Sequence, residues 1–168
     1  MLEQKAHLNQ MLTATKSSKI DISLEVDTTN LAKKFSKILK KGDVVFLYGE
    51  IGVGKTAFIR YLINSYQKRK NISLTEVLSP TFNLVNEYEI KDLVIQHYDL
   101  FRLKNTEETR SIGLLENSEN ILTLVEWPEK IENKPKKRID LKFEYAENTK
   151  KRFLTIKGLD IKKLDVFR

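Results

Sequence analysis

Five apolar residues, Val44-Val45-Phe46-Leu47-Tyr48, run directly into Gly49-Glu50-Ile51-Gly52-Val53-Gly54-Lys55-Thr56, and Ala57-Phe58-Ile59-Arg60-Tyr61-Leu62-Ile63 follows with helical apolar spacing. A buried strand, a glycine loop and a helix in immediate succession restrict the chain to an α/β architecture. The octapeptide matches G-x-x-x-x-G-K-[ST], the phosphate-binding P-loop, in the strand–loop–helix setting that gives the pattern its meaning.

The residue types fit anion chemistry. Gly49, Gly52 and Gly54 allow turns that aim successive N–H groups inward. Those donors and the positive end of the following helix suit a phosphate. Lys55 adds a mobile ammonium for the β and γ phosphates, and the Thr56 hydroxyl can ligate Mg²⁺. The segment from Gly49 through Glu50, Ile51, Gly52, Val53, Gly54, Lys55 and Thr56 to Ala57 is therefore the candidate site for a nucleoside triphosphate.

A loop of this kind needs a carboxylate to hold the metal or orient water, normally at the end of a neighbouring buried strand. Two acids qualify. Glu126 follows the apolar run Ile121-Leu122-Thr123-Leu124-Val125, and Asp99 follows Leu93-Val94-Ile95-Gln96-His97-Tyr98. His97 shares a strand face with Asp99 and is either a phosphate- or water-orienting group or a hydrogen-bonded histidine beside the sheet. Trp127, the only tryptophan, is either a rim residue or a stacking surface for nucleotide.

Around this core the chain reads as one sheet-forming unit. Ile20 to Val26 alternates like an edge strand, and Asp27, Thr28 and Thr29 offer caps for a helix carrying Leu31, Ala32, Phe35, Ile38 and Leu39. Phe82–Tyr88 and Leu93–Tyr98 form a hairpin about Lys91-Asp92. Thr106 caps a short helix that Gly113 ends, and strands near 138–145 and 152–157 flank a polar turn. Residues 1–19 read as a loosely ordered extension.

Composition excludes several classes. With 168 residues and no cysteine, one domain is natural, and disulfide frameworks, thiolate metal sites and cysteine nucleophiles are absent. No apolar run approaches membrane-spanning length, and the first twenty residues lack the apolar core of a secretory signal. The net charge of +7 lies in the tail: residues 130–168 hold 13 basic and 6 acidic residues, whereas 1–129 are balanced. Such an excess suits RNA or an acidic protein surface, or simply a solvated lysine-rich face.

Taken together, GEIGVGKTAF, SPTFNLVNEY at 79–88, HYDLFRL at 97–103, Gly113-Leu114 and LVEWPEK at 124–130 resemble the TsaE family, the P-loop ATPases of bacterial tRNA threonylcarbamoyladenosine synthesis. The resemblance spans roughly 27–130. It implies a P-loop ATPase domain over 20–168 with a mixed sheet: central parallel strands flanked by antiparallel ones, with helices on both faces. It implies ATP and Mg²⁺ as ligands and the TsaB–TsaD pair as partner, with ATP turnover, weak in isolation, resetting that pair between rounds of threonylcarbamoyl transfer. The tRNA would be met through the pair, or directly by the basic 130–168 region, in the cytoplasm. Residue by residue, Lys55 would grip phosphates, Thr56 and Glu126 would form the metal shell, and Asp99 would act on water or complete that shell. Thr81 would lie near the γ phosphate, Trp127 would follow the metal-site glutamate, and Arg102 would face phosphate or partner, or form an ion pair. Phe101 stands where tyrosine is common and Ala57 where a second threonine is frequent. Two other readings are a small-molecule or nucleotide kinase and a nucleotide-dependent RNA-binding module. Against the kinase, segment 104–120 has two cations and four acids, Glu107, Glu108, Glu116 and Glu119, a poor phosphate lid.

Overall fold

In the computed structural model, residues 19–146 and 149–159 are described; the expected extension, bar Lys19, and the last nine residues lie outside them. The elements are β1 (Ile20–Asp21), α1 (Glu25–Ile38), β2 (Val44–Tyr48), α2 (Lys55–Arg69), β3 (Val85–Ile90), β4 (Leu93–Asp99), α3 (Glu107–Ser111), β5 (Leu122–Glu126), β6 (Ile139–Tyr145) and β7 (Arg152–Lys157). All seven strands join one sheet in the order β1-β7-β6-β2-β5-β4-β3. The central four, β6, β2, β5 and β4, run parallel, and antiparallel pairs close both sides. This is the mixed sheet the sequence predicts.

One face carries α1 and α2. Leu31, Phe35, Phe58, Ile59 and Leu62 are buried there with Val45, Leu47, Ile95, Leu122, Leu124 and Leu141 from the strands. Phe58 sits edge-on between Phe35 and Phe143, with ring centroids 5.6 and 5.9 Å apart. Tyr66 donates its hydroxyl to the Leu39 carbonyl at 2.7 Å, and burial raises its phenol well above the usual range. The other face buries Val44, Phe46, Tyr98 and Val125 beneath residues 100–131, through Leu100, Leu103 and Ile131 and the half-buried Ile112, Leu114 and Leu115. Segment 104–120, which contains the single-turn α3, thus covers the sheet and is not a free lid.

Four local expectations are corrected. The edge strand ends at Asp21, not Val26, because the Asp21 carboxylate accepts from the Ser23 N–H at 2.9 Å and turns the chain. The helix then starts at Glu25, with Glu25 and Asp27 in its first turn where the helix dipole favours acids; Asp27, Thr28 and Thr29 are inside it and are not caps. Lower down, the side chain that closes α3 is Asn105, whose Oδ1 accepts from the Glu108 N–H at 3.0 Å, rather than Thr106. The hairpin strand begins at Val85; residues 81–84 form a turn held by Leu84 N–H donating to Pro80 O at 2.6 Å, and Phe82 stands 80% exposed.

Candidate functional site

Parallel pairing places Leu47 opposite Glu126 and Glu126 opposite Asp99. The carboxyl ends of β2, β5 and β4 therefore finish level, and the glycine loop leaves β2 beside both acids. Crevices outside such strand ends are where open α/β sheets hold ligands. Two glycines are demanded by geometry. Gly49 has φ of 137°, and a Cβ there would lie 2.5 Å from the Phe143 carbonyl on β6. Gly54 precedes α2 with φ of 114°, a conformation L side chains resist. It turns the chain so that α2 opens toward the cleft, with its first-turn N–H groups lacking helical partners.

Lys55 is 4% exposed. Its ammonium folds back to donate to the Gly49 and Glu50 carbonyls at 2.6 and 2.9 Å and lies 4.2 Å from the centre of the Trp127 ring. Burial lowers the Lys55 pKa, while Glu126, Asp99 and Glu129 pull it back up. Trp127 adopts φ of 59° immediately after β5, which swings its ring over the loop, where it meets Phe101 at 5.0 Å between centroids.

Glu126 is 2% exposed, too deep for a carboxylate without donors. Thr56 supplies one, its hydroxyl lying 2.8 and 3.0 Å from the two Glu126 oxygens. His97, fully buried, supplies the other through Nε2 at 2.8 Å from Oε1. With Glu126 ionised, Nε2 carries the proton, and Nδ1 has no partner among the described residues. Asp99 is held separately. Its Oδ2 accepts from Ser79 Oγ and, at 2.8 Å, from Thr81 Oγ1, and its Oδ1 accepts from the Phe101 N–H at 3.0 Å. Two carboxylates thus stand side by side, one tied to the helix and one to the loop before β3.

A cleft of about 460 Å³ unites these groups, lined by Gly52, Gly54, Lys55, Thr56, Thr81, Asp99, Glu126 and Trp127 among others. Ile51 and Ala57 also reach it. Glu50 lines an adjoining hollow with Gly49 and Trp127. Val53 is the exception among the loop residues: its side chain is buried in the core, so only its backbone faces the loop. Arg102 forms no ion pair among the described residues and stacks over Phe82, 4.2 Å from the ring centre. Sequence reasoning left Ser79 out of the site, although its position two residues before Thr81 carried the signal. His97 was weighed without reference to Glu126, because a contact between neighbouring strands leaves no mark in linear spacing.

The family model described as "Threonylcarbamoyl adenosine biosynthesis protein TsaE" matches residues 22–153. The tRNA threonylcarbamoyladenosine biosynthesis protein TsaE of Rickettsia bellii (strain RML369-C) is 40% identical over 117 residues, covering 70% of this chain and 78% of that protein. The protein of the same name from Aquifex aeolicus (strain VF5) is 42% identical over 106 residues, covering 63% and 73%. Among solved structures, that of Bacillus subtilus YdiB superposes with a TM-score of 0.66 at 24% identity, over 90% of this chain and 91% of that one.

Proposed function

This chain belongs to the TsaE family, and from that premise we propose that it binds ATP with Mg²⁺ in the cleft, hydrolyses it, and thereby supports a TsaB–TsaD complex during threonylcarbamoyl modification of tRNA in the cytoplasm. The observation that carries this reading is the closure of Thr56 onto Glu126, which ties the loop's hydroxyl to a carboxylate from the adjacent parallel strand. Phosphates would be met by the first-turn N–H groups of α2, and Lys55 would exchange its two carbonyl partners for phosphate oxygens. That swing leaves no charge stranded, since the ammonium already sits beside both acids.

The donor set fits Mg²⁺: a hydroxyl and a carboxylate, both hard oxygens, converge at one place and leave room for phosphate oxygens. Mg²⁺ held by Thr56 and Glu126 would neutralise charge on the phosphates. His97 keeps Glu126 aimed at Thr56 from below. Asp99, already an acceptor for two hydroxyls and an amide, would orient water or complete that shell. Thr81 and Ser79, bonded to Asp99, would link the 79–84 loop to the state of the nucleotide. No catalytic arginine approaches the Thr56–Glu126 end of the cleft among the described residues, which favours slow turnover without a partner. Among the described residues no helix is long and apolar enough to cross a membrane.

Phosphate release from ATP, by the chain alone and with TsaB–TsaD, tests the reading. Slow release that rises on adding the pair and vanishes in Glu126→Ala is expected. Release that is insensitive to Glu126→Ala would remove the site assignment. Release that ignores the pair would instead point to another client, such as a kinase acceptor or RNA bound directly by the basic 130–168 region. Within that region the described cations Arg138 and Lys142 are engaged by Asp140 and Glu144.

A further inference from the structure

Counted along the chain, residues 1–129 carry no excess charge, yet the fold gathers cations at one end of the molecule. α1 and α2 run side by side in the same direction: Tyr61 donates its hydroxyl to Glu25 and, two turns on, Arg69 Nη1 donates to the Ser36 carbonyl. Both helices therefore finish together, and the 15 residues of α2 carry that finish about 22 Å from the cleft. Between the helix ends lies a hollow of about 300 Å³, lined by Lys37, Lys40, Lys41, Arg69 and Lys70, with Asp92 from the β3–β4 turn on its wall.

Two of these five cations are committed. Arg69 is spent on Ser36 and lies 5.9 Å from the centre of the Tyr66 ring, and Lys70 pairs with Asp92 at 3.0 Å. Lys37, Lys40 and Lys41 are exposed, and among the described residues no carboxylate pairs with them. Lysines collect at helix C-termini for a plain reason, the negative end of the dipole, but that end is worth about half a charge per helix. Two helix ends, Asp92, and the buried Asp43 that accepts from the Lys40 N–H offset about three of the five cations, so about two are left over. Burial, and then the Lys37 charge, lower the Lys34 pKa as well, as crowded cations do.

None of the apolar residues lining the hollow is exposed. Protein interfaces are built around aromatic and apolar anchors and are depleted in lysine, and single-stranded nucleic acid needs open aromatic faces on which to stack. Lysines with neither suit the phosphates of a paired stem, which they neutralise without reading its bases. We propose that this end of the molecule holds the phosphate backbone of an RNA stem through Lys37, Lys40 and Lys41, so that the chain meets tRNA with the end remote from its nucleotide cleft. The choice of RNA rests on the reading that the chain serves tRNA modification. It moves the RNA contact away from the 130–168 region, where the described Arg138 and Lys142 are already paired.

The test is binding of an unmodified tRNA transcript to the full chain by fluorescence anisotropy, without nucleotide and across a salt series. Wild type is compared with Lys37→Gln/Lys40→Gln/Lys41→Gln and with Lys136→Gln/Lys137→Gln/Lys157→Gln, which removes the same charge from the tail. Losing three phosphate contacts should lower the slope of log affinity against log salt by about 3 and weaken binding about tenfold or more at 0.1 M salt. The tail variant should stay within about twofold of wild type, since its lysines touch no phosphate. As a check that needs no variant, tRNA should protect Lys37, Lys40 and Lys41 of the wild-type chain from acetylation, read by mass spectrometry. The proposal is overturned if wild type binds no tRNA, if the two variants lose affinity alike, or if the three lysines gain no protection. Binding to phosphatidylserine vesicles through these lysines with none to tRNA would overturn it in favour of a membrane surface. Loss of the TsaB–TsaD effect on phosphate release with tRNA binding intact would overturn it in favour of a protein surface. The ATPase reading fails separately: wild type that binds tRNA through these lysines but releases no phosphate with the pair would refute that reading and leave this one standing.

Discussion

Replacing His97 with phenylalanine isolates the contact that holds the site's deepest carboxylate. Glu126 is 2% exposed and has two side-chain donors, Thr56 and His97. Phenylalanine fills the same pocket but donates nothing, so Glu126 is left with one side-chain donor instead of two. Losing a hydrogen bond to a buried charged group costs about 1.5–3 kcal/mol, and His97, fully buried, leaves its side of the carboxylate without water to compensate. With an m-value of about 2 kcal/mol/M, a loss near 2 kcal/mol should lower the urea midpoint by about 1 M without changing the slope. Phenylalanine is also slightly larger than histidine, and that strain must be separated. A double-mutant cycle with Glu126→Leu does so, because the overpacking is common to both backgrounds. His97→Phe should cost at least about 1.5 kcal/mol less when Glu126 is already leucine. Equal costs in the two backgrounds would refute the reasoning and reduce His97 to a space-filling residue.

Gly49→Ala would drive a methyl into the Phe143 carbonyl and force an alanine into a glycine conformation. A loss of about 3 kcal/mol or more is expected in the same urea assay, and a loss under about 1 kcal/mol would show that β6 can withdraw. For Lys55, burial sets the charged form below the ordinary lysine value of 10.5. The charged form is the one that grips phosphate, so ADP affinity should hold at neutral pH and fall as pH climbs through that lowered value, while Lys55→Arg should show no such fall. Folding stability should move oppositely in that window, since the unfolded chain keeps the lysine proton to higher pH. Identical alkaline profiles for wild type and Lys55→Arg would contradict this.

The parts of the fold written in local pattern were legible in the sequence. Val44–Tyr48, Leu93–Asp99 and Leu122–Glu126 are apolar enough to read as buried strands, and the acids ending two of them read as partners for the loop. Ile20–Val26 misled because alternation over seven residues cannot reveal that Asp21 will bond the Ser23 N–H and turn the chain. Asn105 was passed over for Thr106 because adjacent capping residues compete and only the backbone angles choose between them. In the site, residues tied to a motif were visible and residues tied to register were not. His97 meets Glu126 only because β4 and β5 align as they do.

That sheet order has a consequence for how the chain matures during synthesis. Val45 needs both Leu124 and Ile139 as neighbours, so the strand that launches the glycine loop stays unpaired until β5 and then β6 have left the ribosome. Until then the loop has no Phe143 carbonyl to brace Gly49 and no Glu126 to receive Thr56. A nascent chain is therefore blind to its ligand through most of its translation, and gains the cleft late and all at once, when the sheet closes around its first-made central strand.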